Sequence, residues 1–285
     1  MKLLSPAKVN LSLEVLKKRS DGYHEIRTVF ERVGLFDRIE LRRLETSEIR
    51  IETDSEEIPA GPENLAYKAA KLLAERGRVR SGVVIRLKKV IPVSAGLGGG
   101  SSNAATVLLG LNRLWKLGLS RAHLLKMGAE LGSDVPFFIL ECPFALGTGR
   151  GEILKKISPA KARLWHVLVK PPFGISTREA YEGLSLEGLT PGKADVKMLL
   201  QSIQKGRSSA IGALLVNSLE LSLNKRVRTI SNWKKKLLNC GAFGAAMSGS
   251  GSTVFGLFDT KKAAEAAARH LRKNKRLRVF VAATY

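Results

Sequence analysis

The run Pro92-Val93-Ser94-Ala95-Gly96-Leu97-Gly98-Gly99-Gly100-Ser101-Ser102-Asn103-Ala104-Ala105 constrains this chain more than any other segment. Four glycines in five positions let a backbone turn tightly and approach a ligand, because no Cβ stands in the way. Directly downstream, Ala104, Ala105, Val107, Leu108, Leu111, Leu114 and Trp115 recur at helical spacing. The glycines therefore lead into a helix N-terminus, where unpaired N–H groups and the helix dipole favour anions. Upstream, Val83-Val84-Ile85-Arg86-Leu87 reads as a strand. A flexible linker seldom joins an apolar strand to an amphipathic helix, so the run predicts a phosphate cradle. Ser101 and Ser102 add hydroxyls that can cap the helix, touch phosphate or reach a cation. No Gly-Lys-Ser/Thr closes the loop and it contains no G-x-G-x-x-G, so neither the P-loop nor the dinucleotide fingerprint applies.

At 285 residues, 44% hydrophobic and 26% charged, the chain has the composition of one large or two modest globular domains. Pro6 and Lys8 interrupt any N-terminal apolar stretch, and no run approaches bilayer-spanning length. The expectation is a cytoplasmic protein with no membrane partner. Cys142 and Cys240 are too few and too far apart for a zinc site, and the histidines lack H-x-x-x-H spacing. A net charge of +23 favours encounters with polyanions. Yet Lys234-Lys235-Lys236 and Lys273-Asn274-Lys275-Arg276 lack interleaved aromatics, so they read as solvated faces rather than a nucleic-acid surface.

Strand-like pieces occur near residues 2–15, 27–44, 47–53 and 83–90. Asn64 could cap a helix holding Leu65, Ala69, Leu72 and Leu73, and Ser120 opens another through about Leu131. Residues 135–146 look apolar and extended, ending in the turn Gly147-Thr148-Gly149-Arg150-Gly151. A composition shift at Ile157-Ser158-Pro159-Ala160-Lys161 suggests a domain boundary. Beyond it, Leu164–Val169 reads as a buried strand, and Ser176 and Glu179 have capping-box spacing for a short helix containing Tyr181. Helices are expected over 196–205, 208–222 and 225–239. A second glycine–serine stretch, Ser248-Gly249-Ser250-Gly251-Ser252, leads into the strand Thr253–Phe258. Thr260 starts an alanine-rich helix, and Leu277, Val279 and Val281 alternate as a closing strand. The pattern is α+β, in two lobes.

Three separated elements, Pro6-Ala7-Lys8-Val9-Asn10, the loop at 92–105 and Met247–Ser252, resemble the three motifs of the GHMP small-molecule kinases. The resemblance narrows at Ser20-Asp21-Gly22-Tyr23-His24-Glu25, at Gly132-Ser133-Asp134-Val135-Pro136-Phe137-Phe138 and at Lys170–Thr177. Those segments are similar to a branch that phosphorylates the 2-hydroxyl of a cytidyl diphosphate derivative of methylerythritol, in non-mevalonate isoprenoid precursor synthesis. The likeness runs from about residue 5 to 258.

The resemblance implies an N-terminal lobe, residues 1–158, like domain 2 of ribosomal protein S5 and carrying the ATP-binding glycine loop. It implies a ferredoxin-like C-terminal lobe over 159–285. ATP with Mg2+ and the cytidyl diphosphate substrate are the expected partners, without nucleic acid, and the chain is expected as a monomer or weak homodimer. Asp134 matches the catalytic aspartate that accepts the hydroxyl proton. Lys8 matches the second catalytic position, where a cation holds the carboxylate ionised. Asn10, on the same strand face as Lys8, is expected to orient the same substrate. Tyr23 and His24 match a cytidine-reading pair, Tyr181 the second face of the base clamp, and Thr177 belongs to the adjoining motif. Pro92, Val93, Ser94, Ala95, Gly96, Leu97, Gly98, Gly99, Gly100, Ser101 and Ser102 match the ATP loop, with Asn64 near the adenine and Ser102 assisting Mg2+. Another GHMP kinase with a different acceptor remains open, as does an RNA-binding module, which would not need Asp134.

Overall fold

The computed structural model describes residues 1–158, 160–184, 195–222 and 226–285. Two long strands open the chain, β1 (Lys2–Lys18) and β2 (His24–Leu44), which are neighbours in one sheet. The chain divides into two compact units, each discontinuous in sequence. One holds Met1–Ala7, Leu35–Val93 and Gly98–Cys142; the other holds Lys8–Gly34, Ser94–Leu97 and Pro143–Tyr285.

In the first unit, residues 38–44 of β2 pair antiparallel with β4 (Gly82–Lys88), and β3 (Ile49–Thr53) joins β4 in parallel. Val83, Val84 and Ile85 of β4 are buried in succession, and Leu87 is buried beyond the exposed Arg86, which accounts for the apolar character of that stretch. Helices α1 (Leu65–Arg76) and α2 (Gly99–Leu114) pack on each other. Small and aliphatic residues are buried on both, Ala66, Ala69, Ala70 and Leu73 on α1 and Ala104, Ala105, Val107 and Leu108 on α2. Asn64 caps α1, its Oδ1 accepting from Ala66 N at 2.9 Å. Then come α3 (Arg121–Leu131) and α4 (Val135–Leu140).

Residues 135–146, read from sequence as extended, instead divide into α4 and β5 (Phe144–Thr148). Every residue of α4 is buried, so its sequence is apolar all round and six positions cannot display a helical period. Pro136 sits in the first turn, where its missing N–H costs nothing.

In the second unit, β5 pairs with residues 28–31 of β2 and with β6 (Ile153–Lys156), across the Gly149–Gly151 turn. A separate sheet runs β11 (Arg278–Ala283), β7 (Trp165–Lys170), β10 (Val254–Phe258), β9 (Gly244–Met247), every pair antiparallel. Taken in chain order this is 4-1-3-2, the ferredoxin-like arrangement. Helices α8 (Val227–Asn239) and α9 (Lys261–Leu271) cover it, with Ile230, Trp233, Leu237, Ala264 and Leu271 in one core with Val167, Met247 and Val254.

After β7 in the chain come α5 (Thr177–Glu182), α6 (Val196–Lys205) and α7 (Ser208–Ala213). The helix expected over 208–222 stops at Ala213. Residues Val216–Asn217 form β8, parallel to Ser12–Leu13, and Ser218–Ser222 form a 3-10 turn. The Asn217 amide explains the break: it donates to the carbonyls of Met247 (2.8 Å) and Gly249 (2.7 Å) and accepts from Leu219 N (2.9 Å). Those bonds to a distant loop replace the local ladder of a helix. Pro159 of the proposed boundary and Lys225, where the next helix was expected to begin, lie outside the described residues.

Candidate functional site

Helix α2 starts inside the glycine run. Ser102 N donates to Gly98 O at 2.9 Å, and Gly98 is the N-cap with φ 67°, a left-handed conformation that glycine adopts without strain. The N–H groups of Gly99, Gly100 and Ser101 precede the first i−4 acceptor, so they face out of the helix end. Gly98, Gly99 and Ser101 are half-buried and Gly100 is exposed. This is a set of available amides on the positive pole of a 16-residue helix.

The residues before it hold the loop. Leu97 O accepts from Lys8 N at 3.0 Å, and Ala95 O from Thr253 N at 3.2 Å. Gly96 has φ 74°, and a Cβ there would lie 1.9 Å from the Ser248 carbonyl oxygen. Pro92, Ala95 and Leu97 are buried, Val93 half-buried, and Ser94 exposed. The residues matched to the ATP loop thus split into anchors (92–97), the N-cap Gly98 and the presented amides (99–101).

The two serines differ. Ser102 is fully buried and its Oγ accepts from Ser5 Oγ at 2.7 Å, whereas Ser101 is half-buried. Ser101 Oγ lies 4.0 Å from where a Cβ on Gly132 would stand. The Gly132-Ser133-Asp134 turn is therefore against the first turn of α2, and α4 packs on α2 behind it. Asp134 is the N-cap residue of α4 but makes no side-chain cap hydrogen bond, so its carboxylate is not used to start that helix. Asn64 has both ends of its amide engaged: besides capping α1 it donates to Pro59 O at 2.7 Å.

In the second unit, Lys8 is 3% exposed and donates from Nζ to Asn10 Oδ1 at 2.6 Å. Asn10 Nδ2 donates to Thr28 Oγ1 at 2.8 Å, and that hydroxyl donates to Ser12 O at 2.6 Å. The Lys8 ammonium also lies 5.7 Å from the Phe30 ring centroid. A desolvated cation needs such partners. Gly249 passes beside it, since a Cβ there would be 3.1 Å from Lys8 Nζ.

The aromatic residues also gather in this unit. His24 stacks on Tyr181 with ring centroids 5.0 Å apart and planes at 26°. Burial, and then the positive charge of Lys18, hold the His24 imidazole below its ordinary pKa of 6.5. It is neutral at pH 7. Tyr23 is 54% exposed, its ring 4.9 Å from the Arg150 guanidinium. Thr177 Oγ1 lies 3.4 Å from Ser250 Oγ, joining the start of α5 to the second glycine–serine stretch. Two contributors, Arg150 and Asn217, were not singled out from sequence. Arg150 sits in a glycine-rich hairpin that reads as a turn, and no local pattern marks Asn217. Among the described residues no group of three or more His, Cys, Asp or Glu could hold a metal ion, and no helix is long and apolar enough to cross a membrane.

Comparison with known proteins agrees with this geometry. The GHMP kinases N terminal domain family matches residues 64–141, and the GHMP kinases C terminal family matches residues 199–277. The chain is 47% identical over 277 residues to the 4-diphosphocytidyl-2-C-methyl-D-erythritol kinase of Pelotomaculum thermopropionicum, covering 97% of this chain and 96% of the relative. It is 46% identical to the Bacillus subtilis enzyme of the same name, covering 89% and 86%. A crystal structure of 4-(cytidine 5'-diphospho)-2C-methyl-D-erythritol kinase superposes with a TM-score of 0.85 at 36% identity, over 99% of this chain and 98% of the other. The chain belongs to the GHMP kinases, within the family of 4-diphosphocytidyl-2-C-methyl-D-erythritol kinases.

Proposed function

We propose that this protein transfers the γ-phosphoryl group of ATP to the 2-hydroxyl of 4-diphosphocytidyl-2-C-methyl-D-erythritol. The products are ADP and the 2-phosphate, an intermediate of non-mevalonate isoprenoid precursor synthesis. The observation that carries the reading is the Gly132-Ser133-Asp134 turn lying against the amide-bearing first turn of α2.

Phosphoryl transfer passes through a loose, highly anionic transition state, so alignment and charge stabilisation do most of the catalysis. The amides of Gly99, Gly100 and Ser101 receive the nucleotide's phosphate oxygens. The Asp134 carboxylate accepts the proton as the substrate oxygen bonds to the γ-phosphorus and the bond to the β,γ-bridging oxygen breaks. Lys8 supplies a fixed, desolvated positive charge, and Asn10 holds that ammonium in place. Mg2+, where it accompanies ATP, would offset negative charge on the phosphate oxygens. Those oxygens would be its main ligands, and the half-buried Ser101 hydroxyl is better placed to assist than Ser102, which faces Ser5. Cytosine stacks against Tyr181 and Tyr23, with the neutral His24 reading its edge and Thr177 bordering the site. Asn64, whose amide is engaged at both ends, would act on the adenine pocket through the start of α1.

The test offers purified protein ATP with the cytidyl substrate, mevalonate or homoserine. Turnover of the cytidyl substrate alone is expected; equal turnover of all three would defeat the specificity. Asp134→Asn should cut turnover about 10²–10⁴-fold, the usual contribution of a general base, with ATP affinity nearly unchanged.

A further inference from the structure

Beneath the cradle lies a buried polar cluster that the proposed chemistry does not use. Asp37, from β2, is fully buried. Its Oδ1 accepts from the backbone N–H groups of Val90 (2.8 Å) and Ile91 (2.9 Å). Its Oδ2 accepts from Asn103 Nδ2 at 3.0 Å and from the Lys89 ammonium. Lys89 Nζ also donates to Asn103 Oδ1 at 3.1 Å. Asn103 Nδ2 donates to Ser5 Oγ at 2.9 Å, and Ser5 Oγ donates to Ser102 Oγ.

One carboxylate therefore grips the chain on both sides of the glycine loop. Oδ1 takes the two residues that lead into it, and Oδ2 takes the second turn of the helix that leads out. The cluster also abuts the cradle itself: a Cβ on Gly99 would lie 3.0 Å from Ile91 Cγ2 and 3.4 Å from Lys89 Nζ. Asp37 and Lys89 neutralise each other, so the grip leaves no net charge in the interior. A neutral amide at 37 would offer one accepting oxygen where the carboxylate offers two, and would place N–H donors against Lys89 or against the backbone donors.

We propose that Asp37 is a positioning residue for phosphoryl transfer, holding the two ends of the loop so that the amides of residues 99–101 meet the ATP phosphates in register. The inference rests on the proposed ATP-dependent reaction, and it predicts a defect specific to one substrate. In Asp37→Asn, KM for ATP should rise about tenfold or more and kcat should fall, because small displacements of a phosphate-binding group are costly. KM for the cytidyl substrate should stay within about twofold of wild type, since that site loses no contact. Binding of a non-hydrolysable ATP analogue to each variant gives the same comparison without turnover. Asn103→Ser, which loses the link between Asp37 and α2 but keeps the buried pair, should show the same split more weakly.

Unchanged ATP affinity in folded Asp37→Asn overturns the proposal. So does a parallel rise of both KM values, which marks general loosening of the fold. If Asp37→Asn does not accumulate as folded protein, Asn103→Ser decides by the same criteria. A wild-type protein that binds the ATP analogue but leaves the cytidyl substrate untouched refutes the proposed acceptor, while the analogue measurements still judge Asp37.

Discussion

The two glycine–serine stretches look alike in sequence and do different work. Residues 96–101 end as the amide-bearing start of α2. Residues 248–252 form the turn between β9 and β10, with Gly251 N donating to Ser248 O at 2.9 Å and Ser248 N donating to Thr253 O at 2.9 Å. The second stretch braces the anchoring half of the first: Ser248 Oγ donates to Gly96 O at 2.8 Å, and Thr253 N donates to Ala95 O. It is itself braced by Asn217 on two carbonyls, those of Met247 and Gly249. Similar composition thus serves presentation in one place and support in the other. The difference comes from the element next in the chain: a helix leaves its first N–H groups open, whereas a strand uses them in its ladder.

The sharpest way to break this comparison is Gly96→Ala. The added methyl would meet the Ser248 carbonyl oxygen at 1.9 Å, on a backbone at φ 74°. A loss of at least ~3 kcal/mol in denaturant unfolding is expected, together with a raised KM for ATP. Wild-type stability would show that the two stretches do not brace each other. Asn217→Ala comes next. It strips the amide from the carbonyls of Met247 and Gly249 and from Leu219 N, for about 2–3 kcal/mol by the same measurement. If support is the role of residues 248–252, KM for ATP should rise here too, although the buried Asn217 amide donates only to backbone carbonyls of the loop.

The smallest expected effect lies outside both stretches and serves as their contrast. Burial and Lys18 hold His24 below its ordinary value of 6.5, so the ring is neutral at pH 7 and gains a proton only as pH falls below that value. The stability that comes from keeping it neutral is complete above about pH 6.5 and is lost as pH falls through the lower folded value. Protonation also removes the ring's one acceptor nitrogen. KM for the cytidyl substrate should therefore climb as the medium is acidified, with KM for ATP level, and His24→Gln should abolish the climb. A parallel climb for ATP would mean that the aromatic cluster and the cradle are one titrating unit.

Much of this was legible before any fold was known. The spacing of Ala104, Val107, Leu108 and Leu111 announced α2, and Asn64, Ser120, Ser176 and Thr260 announced helix starts, because capping is a local hydrogen bond between near neighbours. The alternation in β1 placed Lys8 and Asn10 on one face, where they now share a hydrogen bond. Other features were hidden. The apolar stretch at 135–140 carried no period, since a helix buried on every side gives none. Asn217 ended a helix-like stretch through bonds to residues about thirty positions away. Arg150 beside Tyr23, and the division between Ser101 and Ser102, depend on which side of an element faces a neighbour.

By itself the sequence determined the elements whose causes lie within a few residues: strand alternation, helix periodicity, caps, and a glycine run that had to open a helix. Tertiary structure alone decided which of those amides stay open, which serine turns inward, and which carboxylate is drawn under the loop at Asp37. Those choices are made by partners far apart along the chain, and no local pattern encodes the closing of a contact from Ser5 to Ser102 or from Asp37 to Ile91.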